Sequence, residues 1–406
     1  MHVIFVEPAF PFNQREFVRG LVEVGAQVTG IGERPIEFLD DELKGWLSGY
    51  EQVSSVVNEE ALQDAVRKIQ RRGWVDLIEG TVEAHIMSVA RAREATGIPG
   101  TSVRTAFLCR DKPAMKQVLR EAGVPCAQST GASSIDEVLA FADTVGYPLI
   151  IKPPDGAGAA GTSRVENEQE LRAACTESGV DQGATVAVEE FIEGHEGFYD
   201  TISIDGEPAC EFVCHYYPNV LHGMRTRWVS PQIVATNRVD LSSYDEVKAM
   251  GRKVIKALGI GTSPTHQEWF ISAKGLKFSE IGCRPPGVGA WDLYSSGNDM
   301  DLYREWAHAI VHGKPETPPS RRFSAGMIAL RPDQDGEVIG TEGADDLLSD
   351  WGEHMIDHKF PAPGTPTQPV EGGFMANAWV RMRHTDFDTL RTMLDTVGEK
   401  VQLRAR

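Results

Sequence analysis

Between Pro264 and Gly287 the chain reads as two apolar strands folded about Ala273-Lys274-Gly275. Each strand carries a glutamate among residues that would be buried: Glu268 in His266-Gln267-Glu268-Trp269-Phe270, and Glu280 in Phe278-Ser279-Glu280-Ile281-Gly282. Two carboxylates side by side in an apolar setting repel, and the arrangement is costly unless a cation neutralises them. Magnesium suits the place, because it is a hard ion that takes one or two carboxylates and completes its shell with phosphate oxygens and water. The plain alternative is a surface hairpin whose glutamates alternate toward solvent. Arg284, four residues beyond Glu280, is positioned to offset charge on a transferring phosphoryl group or a tetrahedral oxyanion.

Two other segments carry chemistry. Leu149-Ile150-Ile151-Lys152 is an apolar strand that delivers a lysine to a loop of small residues containing Gly156, Gly158 and Gly161. Free backbone N–H groups in such a loop suit a polyphosphate. The spacing spells G-x-G-x-x-G, yet Ser163-Arg164-Val165 reads as a returning strand, and the next helix starts near Asn167 with its own capping box to Glu170. A dinucleotide fingerprint would open a helix directly, and no G-K-S or G-K-T supplies a Walker lysine. Taken alone, the loop is as well explained as a surface hairpin. The second segment, Val186 to Glu196, is a strand ending in Glu189 and Glu190, an apolar step at Phe191 and Ile192, and a further carboxylate at Glu196. It can present backbone groups to an adenine edge while Glu196 accepts bonds from ribose hydroxyls. A solvated acidic loop is the bland alternative.

A chain of 406 residues exceeds one hydrophobic core, which predicts two or three compact units. Residues 1–105 alternate strands (Val3–Val6, Gln27–Ile31, Val75–Ile78) with helices (Arg15–Val24, Glu59–Arg72, Val82–Thr96), the pattern of a parallel, Rossmann-like α/β layer. The turn after the first strand, Glu7 to Pro11, has no glycine fingerprint, so dinucleotide binding is not expected there. Residues 106–318 read as an α+β domain, with a hairpin at Asp205-Gly206 and a helix over Tyr244–Leu258. The Pro- and Gly-bearing stretch 313–320 reads as a linker. A small α+β domain over 319–406 follows, with strands Ala325–Leu330 and Met375–Arg381 and a helix over Asp386–Val397.

A formal charge of −19 opposes contact with a phosphate backbone, so nucleic acid is not an expected partner, and an anionic substrate must meet a local basic pocket. Six scattered cysteines lack the density of a disulfide scaffold and are expected to be reduced. Cys210, Cys214 and His215 alternate as in a strand, without a second ligand pair for zinc. No apolar run reaches the roughly 18 residues of a membrane helix, and the N-terminus lacks a signal-peptide pattern, so a cytoplasmic location is expected.

In their order, Lys112 within Arg110-Asp111-Lys112, Lys152 with its glycine loop, Glu189-Glu190-Phe191-Ile192, Glu196, and the Glu268, Glu280, Arg284 set resemble the ATP-grasp superfamily over about residues 105–312. The resemblance implies a central ATP-grasp domain of two α+β subdomains between the Rossmann-like and C-terminal domains. It implies ATP, with Lys112 and Lys152 on its phosphates and Glu189 to Ile192 framing the adenine. It also implies Mg2+, or Mn2+ in its place, on Glu268 and Glu280, and an acyl phosphate steadied by Arg284. Arg227 sits where relatives keep a basic residue, which implies a catalytic role. Two departures stand out. Many relatives carry an asparagine as third metal ligand where this chain has Gly282. Biotin carboxylases follow the arginine with a glutamine and a glutamate, whereas Pro285-Pro286-Gly287 follows here, which argues against bicarbonate activation. The Arg-Pro-Pro-Gly turn is more similar to carboxylate-amine ligases, the L-amino-acid ligases among them. The implied reaction joins a small carboxylate to an amine through an acyl phosphate, without nucleic acid or membrane partners. A homodimer is among the implied assemblies. A thiol acceptor, a carboxylation, or a nucleotide-binding regulator without turnover remain as alternatives, the last favoured by Gly282.

Overall fold

The computed structural model describes residues 1–154, 161–224, 226–372, 374 and 376–406. Four parallel strands open the chain, in the order Gly49–Gln52, Gln27–Gly32, His2–Val6, Leu77–Glu79. Three of them lie where apolar runs predict strands. The fourth, Gly49–Gln52, has no apolar run and is held by its ladder to Gln27–Gly32. This layer is fastened to the rest of the chain by aromatic packing. Phe17, on the helix Gln14–Glu23, meets Tyr303 and Trp306 of the helix Leu302–His312 edge-on, at centroid distances of 4.9 and 5.0 Å. Gly20 allows the approach, because a Cβ there would lie 2.7 Å from the Tyr303 carbonyl oxygen. The contact fixes the position of the N-terminal layer, and so of the loops at the carboxyl ends of its strands.

A second, antiparallel sheet has the order Ser129–Ala132, Val186–Glu190, Leu149–Lys152, Ser163–Val165. The returning strand after the small-residue loop is present, and Asn167 caps the helix Glu168–Glu177 by accepting a bond from the Glu170 N–H. Helices Ile135–Val145 and Glu168–Glu177 bury Val138, Leu171 and Cys175 against the strand residues Leu149, Ile151 and Val188.

The third sheet has eight antiparallel strands, in the order Gly275–Gly282, Ser263–Ser272, His195–Ile204, Glu207–Tyr217, Gln232–Ala235, Ser324–Leu330, Ala378–His384, Met355–Lys359. The turn at Asp205-Gly206 has positive φ at both residues, +52° and +88°, as a two-residue hairpin of this twist requires. The segment after the linker divides its strands between two sheets. Gln232–Ala235 pairs directly with Ser324–Leu330, so three of its strands extend the central sheet, while Val338–Glu342 and Gln402–Ala405 make a separate pair. The strand expected at 375–381 runs over Ala378–His384, and Met375 lies outside the described residues. All six cysteines are buried free thiols. Among the described residues, no helix is long and apolar enough to cross a membrane.

Candidate active site

Period-two alternation puts one face of the central sheet to chemical use. Glu196 and Asp200 lie opposite Phe270 and His266 in the ladder, and Phe198 lies opposite Glu268, so these residues share a face. The partner strand brings Glu280 to the same face through a bulge: Gln267 pairs with Ile281 and Trp269 with Phe278, leaving Ser279 and Glu280 opposite Glu268. Gln267 and Trp269 point the other way, into the core. A cavity of about 510 Å3 lies over this face, closed from the other side by the smaller sheet and the helix Lys112–Glu121.

Three lysines enter it. Asp111 caps the helix Lys112–Glu121 by accepting a bond from the Ala114 N–H, which sets Lys112 at its start and Lys116 one turn on, on the same face. Lys112 Nζ lies 3.2 Å from Glu280. Lys152, at the end of its strand, is diagonal to Glu189 in the ladder, and its Nζ lies 2.9 Å from that carboxylate. The second oxygen of Glu189 lies 2.7 Å from Lys116, which is fully buried. Burial would raise the Glu189 carboxyl, but the two lysines outweigh it and hold it at about 2.

The other carboxylates divide. Burial would raise Glu280 too, but Lys112 and Lys152 pull it below the usual carboxylate range. Glu268 has no lysine at contact distance. Burial, with Glu280 and Glu196 nearby, pushes it up to about 8. Glu196 is raised by burial to about 7 although it accepts a 2.7 Å bond from the Val220 N–H. His266 donates or accepts at Asp200 over 2.7 Å, and Tyr294 donates its hydroxyl to the other Asp200 oxygen. The second ring nitrogen of His266 stands 3.8 Å from Glu268.

Arg284 is reached from the N-terminal layer. Glu83, just beyond the strand Leu77–Glu79, accepts a 2.7 Å bond from Arg284 Nε, and Arg284 Nη1 donates to the Pro285 carbonyl at 2.8 Å. This pair also accounts for Gly282. A Cβ at that position would stand 3.2 Å from a Glu83 oxygen and 3.3 Å from Arg284 Cγ, so a side chain there would require the ion pair to shift by a few tenths of an ångström.

Of the residues picked out from sequence, Lys112, Lys152, Glu189, Glu190, Phe191, Ile192, Glu196, Glu268, Glu280 and Arg284 line the cavity together. Arg164 covers the Phe191 ring at 4.2 Å. Gly161 closes the small-residue loop at φ +66° against Pro153, while Gly156 and Gly158 lie outside the described residues. Arg227 is not among the lining residues. Its guanidinium is bound to Asp335 at 2.6 Å, drawn toward the C-terminal segment by that carboxylate. Sequence reasoning passed over Lys116, Glu83, Asp200 and His266. Lys116 had a signal, its i,i+4 spacing from Lys112, and so had Glu83, at the carboxyl end of a parallel strand. Asp200 sits mid-strand with none.

Comparison with known proteins fits this geometry. The family described as carbamoyl-phosphate synthase L chain, ATP binding domain, matches residues 111–280, which contain all three lysines and both hairpin glutamates. Residues 111–280 thus carry the ATP-grasp domain. The L-arginine-specific L-amino acid ligase of Bacillus subtilis is 26% identical over 269 residues, 65% of this chain and 64% of that ligase. The chain thus matches somewhat less than two thirds of that ligase's length. The crystal structure of an L-amino acid ligase from Bacillus licheniformis superposes with a TM-score of 0.78 at 17% identity, covering 100% of this chain and 98% of that one. An N5-carboxyaminoimidazole ribonucleotide synthetase from Thermotoga maritima follows at 0.74 and 14% identity, covering 100% and 99%. These superpositions show that the shared fold extends through the N- and C-terminal segments as well.

Do the residues present suit a magnesium ion? Among the described residues no cluster of three or more His, Cys, Asp or Glu side chains is arranged to hold a metal by protein ligands alone. Two buried carboxylates on adjoining strands are present, one of them uncompensated enough to be raised to about 8. That donor set fits an ion whose remaining shell is phosphate oxygen and water.

Proposed function

We propose that this protein uses ATP to activate a small carboxylate as an acyl phosphate and passes the acyl group to an amine. The observation that carries the reading is the convergence of Lys112, Lys116 and Lys152 with Glu268, Glu280 and Arg284 on one cavity. A nucleoside triphosphate needs that density of positive charge, and with a net charge of −19 on the protein it has to be supplied locally. In this reading Glu189 to Ile192 hold the adenine and Glu196 the ribose, while Lys112 and Lys152 take the phosphates with the loop at Gly156, Gly158 and Gly161.

Glu268 and Glu280 would hold Mg2+, or Mn2+ in its place, which when bound neutralises charge on the phosphate chain. The acid's carboxylate oxygen attacks the γ-phosphorus, the bond from that phosphorus to the bridging oxygen breaks, and ADP leaves. Lys112 and Lys152 offset the charge that develops, so positioning and electrostatics supply the acceleration. The amine nitrogen then attacks the acyl carbon, the acyl C–O bond to phosphate breaks, and the proton lost from the nitrogen leaves with the departing phosphate. Arg284, held by Glu83 and Pro285, stabilises the oxyanion between these steps. Arg227 enters this scheme only if its bond to Asp335 opens.

Gly282 favoured a regulator that had lost turnover. The Glu83–Arg284 pair gives that glycine a packing reason instead, which weighs toward an enzyme. A cytoplasmic location and a homodimer belong to the same reading. The test is ADP release across a matrix of acids and amines. Release that needs both substrates supports the ligase, and ATP binding in calorimetry with silence across the matrix would leave the regulator.

A further inference from the structure

The hairpin supplies two carboxylates, and Gly282, at the place of a third ligand in many relatives, has no side chain to offer. Another donor stands on the same face. His266 precedes Glu268 by two residues on the strand Ser263–Ser272, so period-two alternation sends both side chains into the cavity. His266 Nε2 lies 3.8 Å from Glu268 Oε1. That is too long for a hydrogen bond, yet two donors that each sit about 2.1 Å from one ion lie no more than about 4.2 Å apart.

The ring has little freedom to turn away. Its Nδ1 lies 2.7 Å from Asp200 Oδ1, and the Phe198 ring meets it edge-on at 4.9 Å and 71°. Asp200 is only 1% exposed, and its other oxygen accepts the Tyr294 hydroxyl, so the carboxylate is fixed at both oxygens. A carboxylate accepts and does not donate, which assigns the proton between it and the imidazole to Nδ1 and leaves the lone pair of the neutral ring on Nε2, toward Glu268 and the cavity. Such a carboxylate behind an imidazole is the outer partner that orients a metal-ligating histidine and raises its basicity.

We propose that His266 Nε2 is a third protein ligand, beside Glu268 and Glu280, of the divalent ion that meets the triphosphate, with Asp200 as its positioning residue, and that the site therefore favours Mn2+ over Mg2+ more than two carboxylates alone would. A nitrogen donor adds more to the binding of a transition-series ion than to that of Mg2+, which prefers oxygen. Glu280 lies 3.2 Å from Lys112, and among the described residues the three side chains are not gathered into a metal cluster by protein atoms alone, so phosphate oxygens complete the shell. The inference rests on the ATP and metal part of the reading above and specifies its metal centre.

The test uses the full chain with ATP and Mn2+, and reads electron spin-echo modulation from protein in which only the histidines carry 15N, so that adenine and lysine nitrogens do not contribute to the 15N signal. The expected result is the 15N modulation of a directly bound imidazole, lost in His266→Gln and kept in His222→Gln, a second histidine that lines the cavity. His266→Gln should bind ATP as the parent does when a chelator is present, which shows that the variant is folded. It should also lower the ratio of Mn2+ to Mg2+ affinity about tenfold or more. Asp200→Asn should keep the modulation and weaken Mn2+ binding about tenfold, the scale of losing a ligand's outer partner. Mn2+ that binds with ATP but shows no 15N modulation, or a modulation that survives His266→Gln, overturns the ligand assignment and spares the acyl-phosphate reading. Failure of both ions to bind with ATP overturns both.

Discussion

The guanidinium of Arg381 occupies the place of a side chain on Gly289: a Cβ at 289 would stand 2.0 Å from Arg381 Nη2. The arginine cannot easily give way. It is tied to Asp292 at 3.0 Å and Asp357 at 3.2 Å, and it lies over the Trp379 ring at 4.3 Å. A strand of the C-terminal segment thereby pins the turn that follows Arg284, with Val288 at φ +48° and Gly289 at φ +72°.

Gly289→Ala should therefore act on catalysis through the turn. The left-handed backbone alone costs an alanine about 1–2 kcal/mol, and displacing Arg381 adds to it. We expect kcat/KM to fall at least about tenfold, which corresponds to about 1.4 kcal/mol of transition-state stabilisation. Arg381→Lys should not substitute for the parent, because an ammonium cannot hold both carboxylates and also lay a planar group over the Trp379 ring. Steady-state kinetics beside urea denaturation separates the effects. Parental kinetics in Gly289→Ala would remove the turn from the mechanism.

The buried Lys116–Glu189–Lys152 group predicts an acid-sensitive fold. Glu189 is held at about 2, below the roughly 4.3 of a free glutamate, so its contribution is present above about pH 4.3 and lost as pH falls toward 2. Glu189→Gln leaves Lys116 buried without its anion and should cost about 3–5 kcal/mol at neutral pH. Adding Lys116→Met should recover much of that and flatten this part of the pH dependence. Urea midpoints from pH 7 to pH 3 supply the measurement. A single mutant within about 0.5 kcal/mol of the parent would mean that the pair carries no stability.

How far these features were legible in the sequence depends on what kind of signal each residue leaves. Glu268 and Glu280 stood out because a charge in an apolar alternation is locally improbable, and the hairpin between them is a short-range event. Asp205-Gly206 and Asn167 with Glu170 are likewise local, and the turn and cap formed where expected. Glu83 is 201 residues from Arg284, and nothing in a window around either predicts their ion pair. The same holds for the continuity of the central sheet across the linker, where Gln232–Ala235 meets Ser324–Leu330. Strand pairing over such distances is decided by how layers pack, and neighbouring residues carry no record of it.

Glu280 pairs with Lys112 yet also faces the position expected for the triphosphate, and this double role gives a test with a change of sign. Glu280→Gln removes one negative charge from a site that must accept an anion, so ATP alone should bind more tightly than in the parent. With magnesium present the order should reverse, because half of the carboxylate pair is gone, and turnover should fall about 100-fold or more. Titration calorimetry with and without the ion, and ADP release with a chelator as the zero, read both effects. Equal weakening of ATP binding in the two conditions would argue against a metal at Glu280.

Gln267 separates the needs of the fold from those of the site. It stands between His266 and Glu268, but its amide points into the core, fully buried, with neither its nitrogen nor its oxygen bonded to a described residue. A buried amide without partners costs about 1–3 kcal/mol relative to an apolar group of similar shape. Gln267→Leu or Gln267→Met should therefore raise stability by about 1 kcal/mol, moving Tm up by a few degrees in a chain of this size. The carboxylates on the opposite face of the strand should keep their geometry, so KM for ATP should stay at the parental value. Scanning calorimetry and ATP kinetics check the two halves. A drop in Tm would show that the amide has a partner, such as a buried water, that an apolar side chain cannot replace.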